Sequence, residues 1–366
     1  MAQASKTHAL GAQLGSGVRT RARYVIGAPI AAGGMGTVHF GIRAATIPRL
    51  VAVKKLHPHF AENESLLEMF LQEAALTLHI RHPNVCATLD VLSGQSGPAI
   101  VMEYVHGVTL SLLYRKAGGP VPAPIAASIM HGVLLGLHAA HEARDAKGVP
   151  LGIVHRDVSP QNVLVGADGV ARLIDFGVAR CLATAGDSGR GLLPGKLSYM
   201  APERLFGQSS APESDIFAAA IVLWELLAGR RLYRSASDSE TIERILMAEA
   251  PRVASVKADV GDALDAVVMR GLAREIRDRY RTALAMAEAL AAATPLATTD
   301  EVEEWVASLA ADELDARAAL AGFGGPRASD LEANVPTPTP SLLDTTTPAE
   351  HTDVSPPWFP VVRGDA

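Results

Sequence analysis

The apolar pattern of the chain changes character at His106-Gly107, and that change limits the architectures open to it more than any other feature. Before it, apolar residues come in short β-like runs: YVIGAPIA from Tyr24, TVHFGI after a glycine-rich turn, LVAVKKL, then ATLDVLS and AIVMEYV. Between the third and fourth runs, Glu62 to Ile80 carries Leu66, Leu67, Phe70, Leu71, Ala74 and Leu78 at helical spacing, with His82-Pro83-Asn84 as a stop. The first three strands fall within about 35 residues, too few for helical crossovers, so they form an antiparallel meander. The first hundred residues therefore read as a five-stranded antiparallel sheet with one helix. Beyond the break come long Ala/Leu-rich helices: Ile125 to Ala143, Ile216 to Leu227, Thr241 to Ala248, Asp262 to Leu272 and Ala283 to Ala293. A small β-rich lobe followed by a larger, mainly helical lobe is an α+β, bilobal fold, and it leaves a cleft at the junction where ligands commonly bind.

Five segments follow. Residues 1–22 are a flexible lead-in, 23–105 the small lobe, 106–295 the large lobe, 296–323 a helical extension and 324–366 a Pro/Thr-rich tail that cannot bury enough surface to fold. In the extension, Asp300 and Glu303 resemble an N-cap pair, and Val302, Trp305, Val306 and Leu309 form one stripe expected to dock on the core. Apolar residues make up 48 % of 366 and the net charge is −6, which disfavours a disordered chain or a basic nucleic-acid binder. Cys86 and Cys181 are the only cysteines and lack C-x-x-C spacing, which speaks against thiolate zinc sites and a disulfide framework. Ile216 to Leu227, interrupted by Glu225, is read as the longest apolar run and is too short to span a bilayer; with no signal-peptide pattern, a cytoplasmic location without a membrane span is expected.

The glycine-rich turn Ala32-Gly33-Gly34-Met35-Gly36 is a weak signal alone, since glycines mostly serve turns. Val51-Ala52-Val53-Lys54 on the next strand strengthens it. Lys54 and Lys55 alternate faces, and Ala52 and Leu56 share the parity of Lys54, so Lys54 points inward, where an ammonium needs an anionic partner. Glu73, mid-helix between Leu71 and Ala74, is either a solvated carboxylate or that partner.

The strongest signal is His155-Arg156-Asp157, with Asn162 five residues after the aspartate and Asp175-Phe176-Gly177 thirteen after the asparagine. Seven specified residues at roughly one in twenty each give ~10⁻⁹ per start site by chance. With GGMG, VAVK and Ala201-Pro202-Glu203 in order around it, the set resembles the eukaryotic-like protein kinase family, in the style of its bacterial members, over about residues 23 to 295.

The resemblance implies a protein kinase fold that transfers the γ-phosphoryl of ATP to Ser or Thr hydroxyls of protein substrates, with Mg²⁺ as the companion of the phosphates. Such transfer leaves the protein mostly positioning and charge neutralisation. Ala31, Gly33, Gly34 and Gly36 would let backbone N–H groups approach the phosphates. Lys54, held by Glu73, would grip the α and β phosphates; Asn162 and Asp175 would supply hard oxygens for Mg²⁺. Asp157 would accept the proton of, or orient, the attacking hydroxyl. Met102 would gate the adenine pocket, Glu103 to Val105 would bond adenine through backbone, and Val38, Ala52 and Leu164 would complete the nucleotide site. Glu203 would pair with Arg279, and Asp215 would brace the catalytic loop. Arg156 and Arg180 would form a pocket for a phosphate on Thr184 or Ser188, unless these are ordinary loop residues. A homodimer is an open partner.

Three positions depart from the family pattern. Ala31 replaces the first glycine of the loop, and Ser159 stands where serine/threonine kinases carry a lysine that touches the transferring phosphate. Lys196, in GKLSYMAPE, stands where they carry threonine. Either Lys196 is an exposed loop lysine, or the two positions have exchanged roles and Lys196 joins the catalytic set. The alternative function is a catalytically weak or silent kinase-like nucleotide-binding scaffold, against which the retained Lys54, Glu73, Asp157, Asn162 and Asp175 argue. A small-molecule kinase, sharing an H-x-D-x-x-x-x-N loop, is disfavoured by the APE segment. His131, His138 and His141 share a helix without an accompanying carboxylate or cysteine in the sequence pattern, and are expected to be ordinary helix residues rather than metal ligands.

Overall fold

Alternation along three strands organises the small lobe. In the computed structural model, which describes residues 23–33, 36–45, 48–58, 62–92, 97–176, 197–247, 249–257 and 260–323, β1 (Arg23–Ala32), β2 (Gly36–Ala44), β3 (Arg49–Leu56), β4 (Thr88–Leu92) and β5 (Ala99–Glu103) pair antiparallel in the order β1-β2-β3-β5-β4. Val51 and Val53 of β3 join Ala99 and Val101 of β5 in one cluster, while Leu56 and Ile100 join Phe70 and Ala74 of α1 (Glu64–Thr77) in another. Lys54 has the parity of Leu56, so it lies on the helix-covered face, as expected. At the glycine turn, the N–H of Gly33 donates to the carbonyl of Gly36 at 2.8 Å, and a Cβ at Gly36 would collide with the Lys55 carbonyl oxygen.

The large lobe is built around two apolar helices. α3 (Ala123–His141) packs on α5 (Pro212–Ala228), whose residues from Ser214 to Ala228 are all buried. A helix apolar on every side belongs at the centre of a domain. Among the described residues the longest uncharged helix is α3, not the Ile216 region; it has the length and hydropathy to cross a membrane, with 61 % of its apolar window buried inside the fold. The histidines and glycines within it break up its apolar run in the sequence. β6 (Gly107–Thr109), β7 (Val163–Gly166) and β8 (Ala171–Leu173) form a three-stranded sheet at the front of this lobe. α2 (Leu110–Ala117), α4 (Pro202–Leu205), α6 (Asp238–Met247), α7 (Val253–Val256), α8 (Asp262–Gly271) and α9 (Ala283–Ala293) complete it. α2, α4 and α7 are too short to show a helical period in the sequence.

The extension is α10 (Thr299–Phe323), with non-helical backbone at Ala310. Its N-cap is not the Asp300/Glu303 pair. Thr298 caps it: the Thr298 Oγ1 accepts from the N–H of Glu301, and the Glu301 carboxylate accepts from the N–H of Thr298 at 2.7 Å. The capping box thus lies two residues earlier, with threonine in place of aspartate. Val302, Val306 and Ala310 are fully buried, whereas Trp305 and Leu309 only edge the core.

Candidate active site

The 3₁₀ turn Pro160–Asn162 and strands β7 and β8 carry the polar residues to the cleft. Asn162 donates through Nδ2 to both the backbone carbonyl of Asp157 (2.8 Å) and its Oδ2 (2.7 Å). A side-chain amide bonded twice to one residue fixes that residue's rotamer, so the Asp157 carboxylate is aimed rather than free to rotate. From the other lobe, Lys54 Nζ reaches Asp175 Oδ1 at 2.7 Å across 121 residues of sequence. The ammonium is mostly buried and the carboxylate over one-third exposed, so the pair opens toward the cleft.

Asp175 and Arg156 are the non-glycine residues with positive φ among those described, at 57° and 66°. Left-handed backbone costs a non-glycine residue about 1–3 kcal/mol and persists only where the surroundings hold it. Phe176, buried among Ile80, Val85, Ala140, Ala143 and Ile153, anchors Asp175, with its ring centroid 4.5 Å from that of His155. Arg156 is held by Asp215, whose Oδ1 accepts the Arg156 N–H (2.8 Å) and whose Oδ2 accepts the His155 N–H (2.7 Å) and His141 Nε2–H (2.9 Å). Burial works to raise the Asp215 pKa, but these donors outweigh it and hold the carboxyl below its ordinary range. His141 is therefore a bracing residue.

Burial lowers the His155 pKa despite the nearby carboxylates. Its neutral ring has a defined tautomer. Nδ1 accepts the N–H of Asp157 (3.3 Å), so the proton sits on Nε2, which donates to the Ile174 carbonyl (3.1 Å). His155 thus ties the loop that carries Asp157 to the segment after β8 that carries Asp175.

Two buried networks hold the segment after the cleft. Arg279, fully buried, pairs with Glu203 (2.8 and 2.9 Å), as expected, and its guanidinium lies over the Phe217 ring. Glu225, inside α5, accepts from the Tyr199 hydroxyl (2.8 Å) and Arg231 (2.7 Å), and Arg231 also donates to the Tyr199 oxygen. The sequence shows Glu225 only as a break in an apolar run; its role as the anchor of Tyr199 depends on contacts no spacing reveals.

Val38, Ala52, Met102, Glu103, Val105 and Leu164 lie on β2, β3, β5, β7 and the connection after β5, around the cleft. Gly33 and Gly36 flank the glycine turn; Ala31 sits opposite Val38 on β1. Gly34, the Glu73 side chain, Gly177, Arg180, Thr184, Ser188 and Lys196 lie outside the described residues, as do residues 1–22 and 324–366. Ser159 is buried, and among the described residues its Oγ has no hydrogen-bond partner.

A two-lobed fold with a cleft-facing lysine–aspartate pair and an asparagine-fixed aspartate defines a protein of the kinase class. The model of the protein kinase domain matches residues 24–289, and the chain belongs to that family. It is 32 % identical over 272 residues to the tyrosine-protein kinase MasK of Myxococcus xanthus, covering 73 % of this chain and 42 % of MasK. Against the serine/threonine-protein kinase PknL of Mycobacterium tuberculosis it is 33 % identical over 264 residues, 72 % of this chain and 64 % of PknL. PrkC of Bacillus subtilis, a serine/threonine-protein kinase, is 31 % identical over 267 residues, 73 % of this chain and 40 % of PrkC. The chain therefore spans less than two thirds of these relatives' lengths. Among solved structures, the kinase domain of M. tuberculosis PknI superposes with a TM-score of 0.57 at 24 % identity, covering 77 % of this chain and 100 % of that domain, a likeness of fold.

Proposed function

We propose that this chain is an ATP-dependent protein serine/threonine kinase, acting in signal transduction in the cytoplasm and phosphorylating itself in the segment between Asp175 and Ala201. The observation that carries the reading is the Lys54–Asp175 contact, which joins the two lobes at the cleft beside the Asp157–Asn162 pair. An ammonium there suits nucleotide phosphates, and Asp157, its rotamer set by Asn162, is placed to orient a hydroxyl and take its proton. Asn162 spends its N–H₂ on Asp157, which leaves its side-chain carbonyl oxygen to serve as a metal ligand; with the Asp175 carboxylate this is a hard-oxygen pair that suits Mg²⁺. When bound, that ion supplies charge neutralisation at the phosphates. The serine/threonine reading draws on Pro160 and the SYMAPE segment together with the names of PknL and PrkC; the name of MasK points to tyrosine.

The test is incorporation of radiolabel from ATP into a basic protein substrate and into the chain itself, followed by phosphoamino-acid analysis. Lys54→Met and Asp157→Asn are expected to abolish incorporation, and the wild-type label to fall on serine and threonine. Label undiminished by Asp157→Asn overturns the mechanism, and label on tyrosine alone overturns the specificity.

A further inference from the structure

The extension helix does more than cover the large lobe. It is seated there along its length to Leu314: Val302, Val306, Ala310 and Leu314 enter the core, Glu313 pairs with Lys116 of α2 at 2.6 Å, and a Cβ at Gly169 would collide with the Thr299 carbonyl. Past the irregular residue Ala310, the second half runs to the connection between the lobes. Arg317, half-buried, donates through Nη1 to the carbonyl of Gly107, and its charge acts on Tyr104. Tyr104 packs its ring against Phe40 of β2, centroids 5.3 Å apart. One turn further on, Ala321 lines a small cavity with Val25, Phe40, Ile42 and Leu50 of the small-lobe sheet. A single helix thus touches the large lobe, the connection and the small lobe.

The connection itself is pinned at both ends and unspent in the middle. The Glu103 N–H donates to the Ala87 carbonyl at 2.9 Å, and the His106 carbonyl accepts from Ala167 at 2.8 Å. Among the described residues, the backbone N–H and C=O of Val105 make no hydrogen bond, although partly buried peptide groups call for partners. Burial lowers the Arg317 pKa, with Tyr104 and Glu313 opposing that shift, so its cation is partly stripped of water, where a bond to a carbonyl is strongest.

We propose that α10 is a brace across the connection between the lobes and that Arg317 is its positioning residue, holding the backbone of residues 103–105 in the geometry that receives the nucleotide base. This rests on reading those residues as the adenine-facing strip. It predicts that losing the Arg317 bond weakens nucleotide binding while leaving the phosphoryl-transfer groups in place.

The experiment compares the full chain with Arg317→Ala, Arg317→Lys and, as a control that removes only a surface ion pair of α10 and leaves the helix seated by its apolar residues, Lys116→Ala. ADP affinity is measured by calorimetry with magnesium, and KM for ATP and kcat by label incorporation. The expected result for Arg317→Ala is an ADP affinity lower and a KM higher by about tenfold, with kcat at saturating ATP within about twofold. Arg317→Lys recovers most of the affinity, and Lys116→Ala matches wild type. Arg317→Ala that binds ADP like wild type, or that lowers kcat at unchanged KM, overturns the brace. Should Arg317→Ala fail to fold, Arg317→Gln takes its place in the same comparison. A wild-type chain that does not bind ADP overturns the nucleotide reading itself, an outcome distinct from equal binding by wild type and variant.

Discussion

Replacing Asp215 by asparagine tests whether the catalytic loop is held in place or merely lies where it is. The carboxylate is 1 % exposed and accepts three hydrogen bonds, two on Oδ2 and one on Oδ1. Asparagine has the same shape but a single acceptor oxygen. Its best orientation keeps that oxygen on the His141 and His155 donors and turns the N–H₂ toward the N–H of Arg156, setting two buried donors face to face. Losing one charge-assisted bond and leaving a buried donor unsatisfied costs about 3 kcal/mol. At a urea m-value of about 3 kcal/mol/M, the unfolding midpoint falls by about 1 M with m unchanged. The same loss removes the bond that holds Arg156 at φ 66°, one residue before Asp157. Relaxation there displaces the Asp157 carboxylate, and a small misplacement of the group proposed to orient the hydroxyl costs about 10²-fold in rate. Urea titration followed by tryptophan fluorescence, with kcat measured well below the midpoint, reads both effects. An Asp215→Asn chain with an unshifted midpoint and kcat within twofold of wild type refutes the account. A shifted midpoint with normal kcat refutes the link from Asp215 to Asp157.

Arg279→Met strands the buried Glu203 carboxylate and is expected to cost about 3–5 kcal/mol, while adding Glu203→Gln to it recovers part of the loss; chemical denaturation of the three variants decides. His155, His82 and His131 all have pKa values lowered by burial from 6.5, so the unfolded chain binds more protons than the folded one between that value and the folded pKa. Stability therefore falls as pH drops below about 6.5, and the melting temperature followed from pH 7.5 to 5.5 is expected to decline, less steeply in His155→Gln. A flat or rising profile contradicts the neutral assignment of His155. The proposed exchange of roles between Lys196 and Ser159, whose Oγ has no hydrogen-bond partner among the described residues, predicts that Lys196→Thr is severely impaired and that Lys196→Thr with Ser159→Lys recovers much of the activity; a double variant no better than the single ends that idea.

Much of this protein is legible in its sequence because it depends on local chemistry. Strand alternation gives the five-stranded sheet, helical spacing gives α1 and the long helices of the large lobe, and the parity of Lys54 with Ala52 and Leu56 puts it on the helix-covered face of β3. The types and spacing of Asp157, Asn162 and Asp175 suffice to carry the chemistry proposed for them, since few side chains can hold a phosphate-bound cation or a hydroxyl proton. What the tertiary structure alone decides are the meetings of residues far apart in the chain. Lys54 with Asp175, Tyr199 with Glu225 and Gly107 with Arg317 carry no sequence period, because each pair is set by how whole elements pack rather than by the step of one helix or strand. The left-handed backbone of Arg156 and Asp175 is equally invisible in the sequence. Neither residue favours that conformation, and it exists only because buried partners from other elements make every alternative worse.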